Sequence, residues 1–372
     1  MINKINIYDN YYSWWKNIDK TILILIISFF IAGLFFSLVS TSLIASDRLN
    51  TNSYYFFVKH LTFIFLGLSV MFLFSLVKEN YLIKLSMIFF ILSFLFVLLV
   101  PIIGVEVKGS RRWLDLPFLP RFQPVELIKP FYIVILSSIL NHDKYNLYFK
   151  YLLTLLLIVP IILLLISQPD IGQSILIILT WLALVFVSGI NLIIFFGLFG
   201  IFILLISYLI FFVEKFNYIK IRISAFFDNS SNNNFQSEKA SEAIIDGGFF
   251  GKGIGEGTLN SKIPEAHTDY IVSVIAEEFG IIIILLIMLS FIFFAYNIFK
   301  KIKDTNENLF KMILIGLISL IMIQAFVHVG VNLKVLPTTG MTLPYLSYGG
   351  SSIISISIIS GIILNLTKRR VN

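Results

Sequence analysis

The stretch TILILIISFFIAGLFFSLVSTSLIA, residues 21–45, contains no charged side chain. A helix needs ~20 mostly apolar residues to cross a bilayer, so this stretch predicts a membrane span. The whole chain has the same character: 58% of its 372 residues are hydrophobic and 13% are charged, against roughly 45–50% and 25% in soluble domains. Mean hydropathy is +0.93. This composition excludes a soluble enzyme, a disordered chain and a disulfide-stapled secreted domain.

The apolar stretches predict ten helical spans. They lie at about 21–45, 60–77, 81–103, 124–141, 150–167, 171–189, 190–213, 267–297, 308–335 and 348–366.

The predicted fold is therefore an all-α integral membrane protein with ten transmembrane helices. One membrane domain covers 21–366, and a large extracytoplasmic loop, 214–266, separates helices 7 and 8. Residues 1–20 and 367–372 are predicted to be cytoplasmic tails. Lys300, Lys301, Lys303 and residues 368–370 fall on the side of the termini and favour this orientation. Over the whole chain the basic residues divide equally between the two sides, and those in the two long outer loops are interpreted as site residues rather than topology signals.

The net charge of +7 points to an anionic partner. The basic residues lie between membrane spans, so anionic membrane lipids or a lipid-linked anionic substrate fit better than nucleic acid. The absence of cysteine excludes thiol chemistry and Cys-type zinc sites.

The first cluster of chemically capable residues is Arg111, Arg112 and Trp113, followed by Gln123. Arginine forks suit phosphate oxygens, and tryptophan suits a sugar face or the bilayer interface. An ordinary interfacial loop is the alternative. The Gln168-Pro169-Asp170 segment reads as a turn and a helix cap.

Glu126 and Lys129 are three residues apart within the fourth predicted span. This spacing places them on one helix face, where they can pair. Charges inside a span are costly and mark candidate functional sites. A structural ion pair between helices is the alternative.

Glycines are concentrated between Gly247 and Gly257. The pattern matches neither a P-loop nor a dinucleotide-binding loop. Glycine permits tight turns and close backbone approach, so a hinge and a binding loop both remain open.

The segment Pro264-Glu265-Ala266-His267-Thr268-Asp269 opens the eighth predicted span, with Thr268 or Asp269 expected as its cap. Burial raises the pKa of a carboxyl toward the range of a general base, whereas a helix N-terminus favours the ionised form. The structural alternative is a plain cap. Glu277 follows two turns later, about 12 Å along the helix.

In this order along the chain, the motifs resemble the SEDS family of bacterial shape, elongation, division and sporulation proteins. They are Gly109 to Trp113, Gln123 to Glu126, Gln168 to Gly172, Gly248 to Gly257, Pro264 to Asp269 with Ala276 to Gly280, and Ser347 to Ser352. Ala266 and the Gly340–Pro344 string resemble the division branch more than the elongation branch. Val125 and Tyr270 depart from the usual family residues.

The resemblance implies a peptidoglycan glycosyltransferase that polymerises lipid II in the bacterial inner membrane, at the division septum. Asp269 matches the family's catalytic aspartate, the expected general base. Arg111, Arg112 and Lys129 are candidates to stabilise the leaving diphosphate. The resemblance leaves room for a divalent cation, Mg or Mn, without specifying its ligands. The implied partners are a class B penicillin-binding protein, an FtsI-like transpeptidase, and other divisome proteins.

The candidate substrate-binding residues are Arg111, Arg112, Trp113, Gln123, Glu126, Lys129, His267, Glu277, Ser351 and Ser352. Three alternatives remain: a lipid II flippase, a non-catalytic division scaffold and an elongation polymerase. The predicted cytoplasmic loops carry no matching cationic and aromatic cluster, which argues against the flippase.

Overall fold

A computed structural model describes residues 7–41, 54–107, 109–117, 119–227, 235–259, 263 and 265–368. Pro264, the polar residues 228–234 and the basic residues 369–370 lie outside the described residues.

The described residues form fourteen α-helices and one β-hairpin, with a short 3-10 helix at Glu214–Phe216. They are α1 (Ile7–Asn17), α2 (Lys20–Thr41), α3 (Tyr55–Leu76), α4 (Glu79–Ile103), β1 (Val105–Val107), β2 (Ser110–Trp113), α5 (Pro124–Leu140), α6 (Leu147–Ser167), α7 (Ile171–Val187), α8 (Leu192–Phe212), α9 (Asn217–Phe227), α10 (Phe235–Gly247), α11 (Ile271–Phe279), α12 (Ile281–Asp304), α13 (Asn308–Asn332) and α14 (Gly350–Leu366).

Six described helices are long and apolar enough to cross a membrane: α2, α3, α4, α6, α12 and α13. Two more, α7 and α14, are apolar but shorter, as is the apolar stretch Leu192–Leu205 of α8. The helix α5 has 17 residues and carries the charged side chains of Glu126 and Lys129. Length and composition thus support a multi-pass helical bundle, with six clear spans among the described residues rather than the ten predicted.

The eighth predicted span, 267–297, is wrong as a single helix. It divides at Gly280 into α11 and α12, and Gly280 has a φ of +83°. A Cβ at this position would lie 2.1 Å from the carbonyl oxygen of Phe249. The break therefore exists because a second backbone segment occupies the space beside it, and only glycine tolerates that approach.

That second segment is the glycine-rich stretch, which we call the glycine clamp (residues 247–255). The N–H of Ile281 donates to the oxygen of Gly248 at 3.0 Å. The N–H groups of Lys252 and Gly253 donate to the oxygens of Glu277 and Glu278 at 2.9 and 3.1 Å. A helix break leaves backbone groups without intrahelical partners, and the clamp satisfies them. The described geometry is that of a structural clasp.

Close packing of α14 on α3 holds the last helix in place. A Cβ on Gly361 would lie 2.6 Å from the oxygen of Met71. The amide of Asn365 donates to the oxygens of Phe74 and Val77 at 2.9 and 2.6 Å. Small residues at such a contact allow two helices to approach closely, so α14 and α3 pack as a tight pair.

Candidate functional site

The β-hairpin places two neighbouring arginines on opposite faces. Strands β1 and β2 pair antiparallel, with Glu106 opposite Arg111. Successive side chains of a strand alternate in direction. The Arg111 side chain is 54% exposed and pairs with Glu106 at 3.4 Å, whereas that of Arg112 is only 14% exposed. Arg112 is therefore the arginine that the fold turns inward.

Arg112 binds the connection between α6 and α7. Its Nε donates to the oxygen of Gln168 at 3.3 Å, and its Nη2 donates to the oxygen of Pro169. Its Nη1 lies 3.8 Å from Oδ1 of Asp170. The predicted turn at 168–170 is thus also the seat of this guanidinium.

Asp170 is a buried carboxylate that links three elements. It occupies the N-cap position of α7 but makes no side-chain cap hydrogen bond. Its Oδ2 accepts from Nε2 of Gln123 at 2.8 Å, and the backbone N–H of Gln123 donates to Oγ of Ser351 at 3.1 Å. Burial raises the pKa of Asp170, and the nearby Arg112 guanidinium opposes that rise. Gln123 and Ser351 therefore support Arg112 through Asp170.

The backbone at Asp269 is held by a tight turn. Glu265 has a φ of +61°, and its carbonyl oxygen accepts from the N–H groups of Thr268, Asp269 and Tyr270 at 3.1, 3.1 and 3.3 Å. The N-cap of α11 is Tyr270, without a side-chain cap bond. The expectation that Thr268 or Asp269 caps this helix is wrong, because the hydroxyl of Thr268 bonds Glu265 instead.

Residues from the end of the chain hold the same turn. Asn332 at the end of α13 donates from Nδ2 to the oxygen of Asp269 at 3.1 Å. Ser347 donates from Oγ to the oxygen of Thr268 at 2.7 Å, and the N–H of Tyr348 donates to the oxygen of His267 at 3.1 Å. The position of Asp269 thus depends on contacts far apart in sequence.

His267 lies in an aromatic cluster. Its ring centroid is 4.9 Å from that of Phe56 and 5.7 Å from that of Tyr348, and Tyr348 also contacts the ring of buried His60. These contacts dock the turn that carries His267 and Asp269 onto α3.

Gly340 is where Asp269 and Arg112 come together. A Cβ on this glycine would lie 3.6 Å from Oδ2 of Asp269 and 3.7 Å from Nη1 of Arg112. The φ of Gly340 is +70°, a region that glycine occupies readily. An anionic group and a cationic group therefore face the same small space across a residue that has no side chain.

Arg222 is a site residue that the sequence reasoning missed. It lies one turn after Tyr218 on α9, and this spacing puts both on one helix face. The Tyr218 hydroxyl donates to the oxygen of Ile166 at the end of α6, 3.2 Å away, which brings that face of α9 to the seat of Arg112.

Arg222 lies near a second cation, Arg112, and near groups that oppose its effect. Burial lowers the pKa of Arg222 and Arg112 lowers it further, whereas Tyr218, Asp170 and Tyr270 oppose that fall. Within the described residues its guanidinium makes no hydrogen bond or ion pair of its own. The only sequence signal was the four-residue spacing of Tyr218 and Arg222 in a segment interpreted as loop.

Glu126 and Lys129 form a separate, closed network. The Nζ of Lys129 lies 2.7 Å from Oε2 of Glu126, and both side chains are almost fully buried. Gln173 donates to Glu126 at 2.7 Å, and Lys129 donates to Gln324 at 3.3 Å. The gap beside them is too narrow for a water molecule. This arrangement matches the structural alternative for the pair.

Two further predicted residues contact other parts of the chain. Ser352 lines the same narrow gap and lies 2.8 Å, oxygen to oxygen, from the hydroxyl of Thr342. Glu277 is fully buried, and its Oε1 accepts from the N–H of Leu259 at 2.8 Å. The structure thus places Glu277 with the segment that follows the glycine clamp. Trp113 is half-buried in β2, beside Arg112.

A metal site is not preassembled in the part of the chain that the structure describes. No group of three His, Cys, Asp or Glu side chains there is placed to hold an ion.

Known proteins resemble this chain over nearly its whole length. The family model of FtsW, RodA and SpoVE, described as cell cycle proteins, matches residues 19–372. A probable peptidoglycan glycosyltransferase FtsW from Caulobacter vibrioides is 31% identical over 96% of this chain and 91% of its own length. The protein of the same name from Coxiella burnetii is 32% identical over 97% and 98%.

Solved structures share the fold. A chain from the work "Structural coordination of polymerization and crosslinking by a peptidoglycan synthase complex" has a TM-score of 0.77 and 25% identity, covering 94% of this chain and 97% of that one. The rod shape determining protein RodA of Thermus thermophilus has a TM-score of 0.70 at 24% identity, covering 94% and 96%. This chain therefore belongs to the FtsW/RodA/SpoVE family, the SEDS membrane proteins, as its motifs predicted.

Proposed function

We propose that this protein is a peptidoglycan glycosyltransferase that polymerises lipid II into glycan strands. The observation that carries the proposal is the meeting of Asp269 and Arg112 at Gly340. Joining sugars from a diphosphate-linked donor needs a base for the acceptor hydroxyl and positive charge for the departing diphosphate. The family relatives named as peptidoglycan glycosyltransferases support the same reaction.

In the proposed reaction Asp269 is the general base. Its carboxylate takes the proton from the 4-hydroxyl of the acceptor sugar as that oxygen attacks the anomeric carbon of the donor. A positioned base of this kind contributes about 10²–10⁴-fold to a rate. The turn at Glu265 and the hydrogen bond from Asn332 fix the backbone of Asp269, which favours a constant position for the carboxylate.

Arg112 and Arg222 stabilise the leaving group. The bond from the anomeric carbon to the diphosphate oxygen breaks, and negative charge grows on the lipid diphosphate. Fixed cations aimed at developing charge stabilise a transition state without reorganisation. Arg112 is held by two carbonyl oxygens and Asp170, whereas the guanidinium of Arg222 makes no hydrogen bond to the residues that the structure describes. Lys129 does not take this role here, because Glu126 and Gln324 engage it.

The names of the relatives indicate where this protein acts and with which kind of partner. Glycan strands must be crosslinked, and the structural neighbour from a synthase complex couples polymerization with crosslinking. We place this chain with a class B penicillin-binding protein in the bacterial inner membrane. The FtsW names of the relatives favour action at the division septum over elongation.

The test is polymerisation of lipid II by the purified protein with its cognate transpeptidase partner, whose crosslinking is blocked. We expect long glycan strands from the wild type and none from Asp269→Asn. Asp304→Asn makes the same chemical change at an exposed site at the last residue of α12 and serves as the control. Equal strands from Asp269→Asn would remove the aspartate as base. If a folded wild-type complex made no glycan strands, the proposed polymerase function would be overturned.

A further inference from the structure

The glycine clamp, together with Ile245 just before it, exposes an apolar patch beside the helix break. Phe249 and Phe250 are 72% and 84% exposed, and Ile245 and Ile254 are also exposed. We call these four residues the clamp patch. Soluble surfaces carry single exposed apolar residues without consequence, but a contiguous group of large ones marks an interaction surface.

The clamp patch continues an apolar stripe of α12. The oxygens of Gly248 and Phe249 accept from the N–H groups of Ile281 and Ile282 at 3.0 and 3.5 Å, so the patch is bonded to the first turn of that helix. Below it, one face of α12 is exposed and apolar. Its exposed large apolar residues are Ile282, Leu285, Leu286, Leu289, Ile292, Phe293, Tyr296 and Phe299. On a membrane helix, an exposed stripe of this spacing faces lipid.

The length of α12 sets the depth of the patch. At a rise of about 1.5 Å per residue, Ile281 lies roughly 28 Å along the helix from Lys300. This is close to the ~30 Å thickness of the hydrocarbon core of a bilayer. With Lys300 and Lys301 at one headgroup boundary, Ile281 and the attached patch stand at the opposite boundary.

Charged side chains lie close to the patch in the sequence. Asp246 and Lys252 form an ion pair there, and Glu256 is exposed. Apolar rings next to charged groups are the composition expected where the hydrocarbon core meets the headgroups.

We propose that the clamp patch inserts into the edge of the bilayer and anchors the glycine clamp to lipid. The lipid itself is the partner, since the patch is continuous with the lipid-facing stripe of α12. The anchor acts on the break at Gly280, because the clamp bonds the ends of both α11 and α12. This inference depends on the membrane-spanning fold and not on the proposed glycosyltransferase reaction.

The cysteine-free chain allows a direct test. A nitroxide label is attached to Phe250→Cys in the full-length protein, reconstituted in phosphatidylcholine and phosphatidylglycerol vesicles without its partner. Collision rates with oxygen, which dissolves in lipid, and with a neutral nickel chelate, which stays in water, report the depth. Leu286→Cys on the lipid-facing stripe and Glu256→Cys provide the lipid and water references, and Phe249→Cys provides a second patch position.

We expect the oxygen-to-nickel collision ratio at 249 and 250 to be several-fold above that at 256 and below that at 286. A ratio equal to that at 256 would overturn the lipid anchor. Low collision rates with both reagents would also overturn it, since they would show that the patch packs against protein. Either failure leaves the polymerisation test unaffected.

Discussion

Two charged clusters lie in this bundle, and they differ in how completely their charges are matched. At Glu126 and Lys129 every charge has a partner, both side chains are buried, and no water fits beside them. At Asp269, Arg112 and Arg222 the side chains are only partly buried, a glycine leaves space between Asp269 and Arg112, and Arg222 has no ion pair with any described residue. A buried pair whose charges neutralise each other stabilises the fold, whereas a cation without an ion-pair partner can bind an anionic ligand.

The largest expected effect is a loss of stability at Glu126 and Lys129, which we call the closed cluster. Lys129→Met leaves the Glu126 carboxylate buried without its cation. Removing one partner of a buried pair costs about 3–5 kcal/mol. We expect a lower free energy of unfolding for Lys129→Met, measured by denaturant titration in detergent. Because replacing both charges is far less costly, Glu126→Gln/Lys129→Met should regain much of the loss. A double variant as unstable as the single one would show that the cost comes from lost packing rather than from charge.

The second largest expected effect is a loss of activity at Asp269, Arg112 and Arg222, which we call the open cluster. Arg222→Gln removes a cation from the proposed diphosphate site. A hydrogen bond to a charged group is worth about 1.5–3 kcal/mol, so we expect kcat/KM for lipid II to fall by roughly 10- to 150-fold. Arg222→Lys should recover part of this. Arg121→Gln, in an exposed pair with Asp115, is the control. An effect of Arg222→Gln on unfolding without one on kcat/KM would make Arg222 structural.

Gly340→Ala tests the space between the two halves of the open cluster. The new Cβ would touch Asp269 and Arg112 at ordinary contact distance, and the positive φ adds strain of about 1 kcal/mol. We expect polymerisation to fall about ten-fold, beyond what the small stability loss explains. Gly189→Ala, at a φ of +87° where a Cβ meets nothing within 4 Å, is the matched control. Unchanged polymerisation would mean that substrate does not occupy this space.

The smallest effect belongs to a third ion pair, which has neither full burial nor proposed chemistry. The Nζ of Lys301 lies 2.8 Å from Oδ2 of Asp19. Burial raises the pKa of Asp19, but the hydrogen bonds from Lys301 and Ile22 lower it, and the resulting pKa is below the ordinary value. The stability it adds is present above the unfolded pKa near 4 and is lost as pH falls through the folded pKa. The gain is under about 1 kcal/mol for a partly exposed pair.

Thermal unfolding measured between neutral pH and pH 3 checks this third pair. The wild type should lose more stability below pH 4 than Lys301→Met, which lacks the cation. Parallel curves for the two proteins would show that the pair contributes nothing.

Sequence predicts most of what depends on local pattern. The apolar runs placed the helices, and the three-residue spacing of Glu126 and Lys129 predicted their ion pair, which the structure contains. The motif order predicted the family. These features are local because helix period and span length are set by neighbouring residues.

The rest depends on contacts between distant segments. The break at Gly280 exists because the oxygen of Phe249 lies where a Cβ would be, and no window around Gly280 contains that information. Arg222 joined the site only because Tyr218 docks α9 onto α6. Asp170 also contacts residues far away in the sequence, because it is the partner of Arg112 and Gln123. The local sequence around Asp170 predicted only a turn residue.

The most direct test compares Asp269→Asn with Lys129→Met in one preparation, scoring both lipid II polymerisation per folded complex and thermal midpoint. We predict that Asp269→Asn loses polymerisation by at least ~100-fold while its midpoint stays at the wild-type value, and that Lys129→Met lowers the midpoint by several degrees. Polymerisation retained by Asp269→Asn, or a midpoint that falls as far as that of Lys129→Met, would contradict the division between an open chemical cluster and a closed structural one.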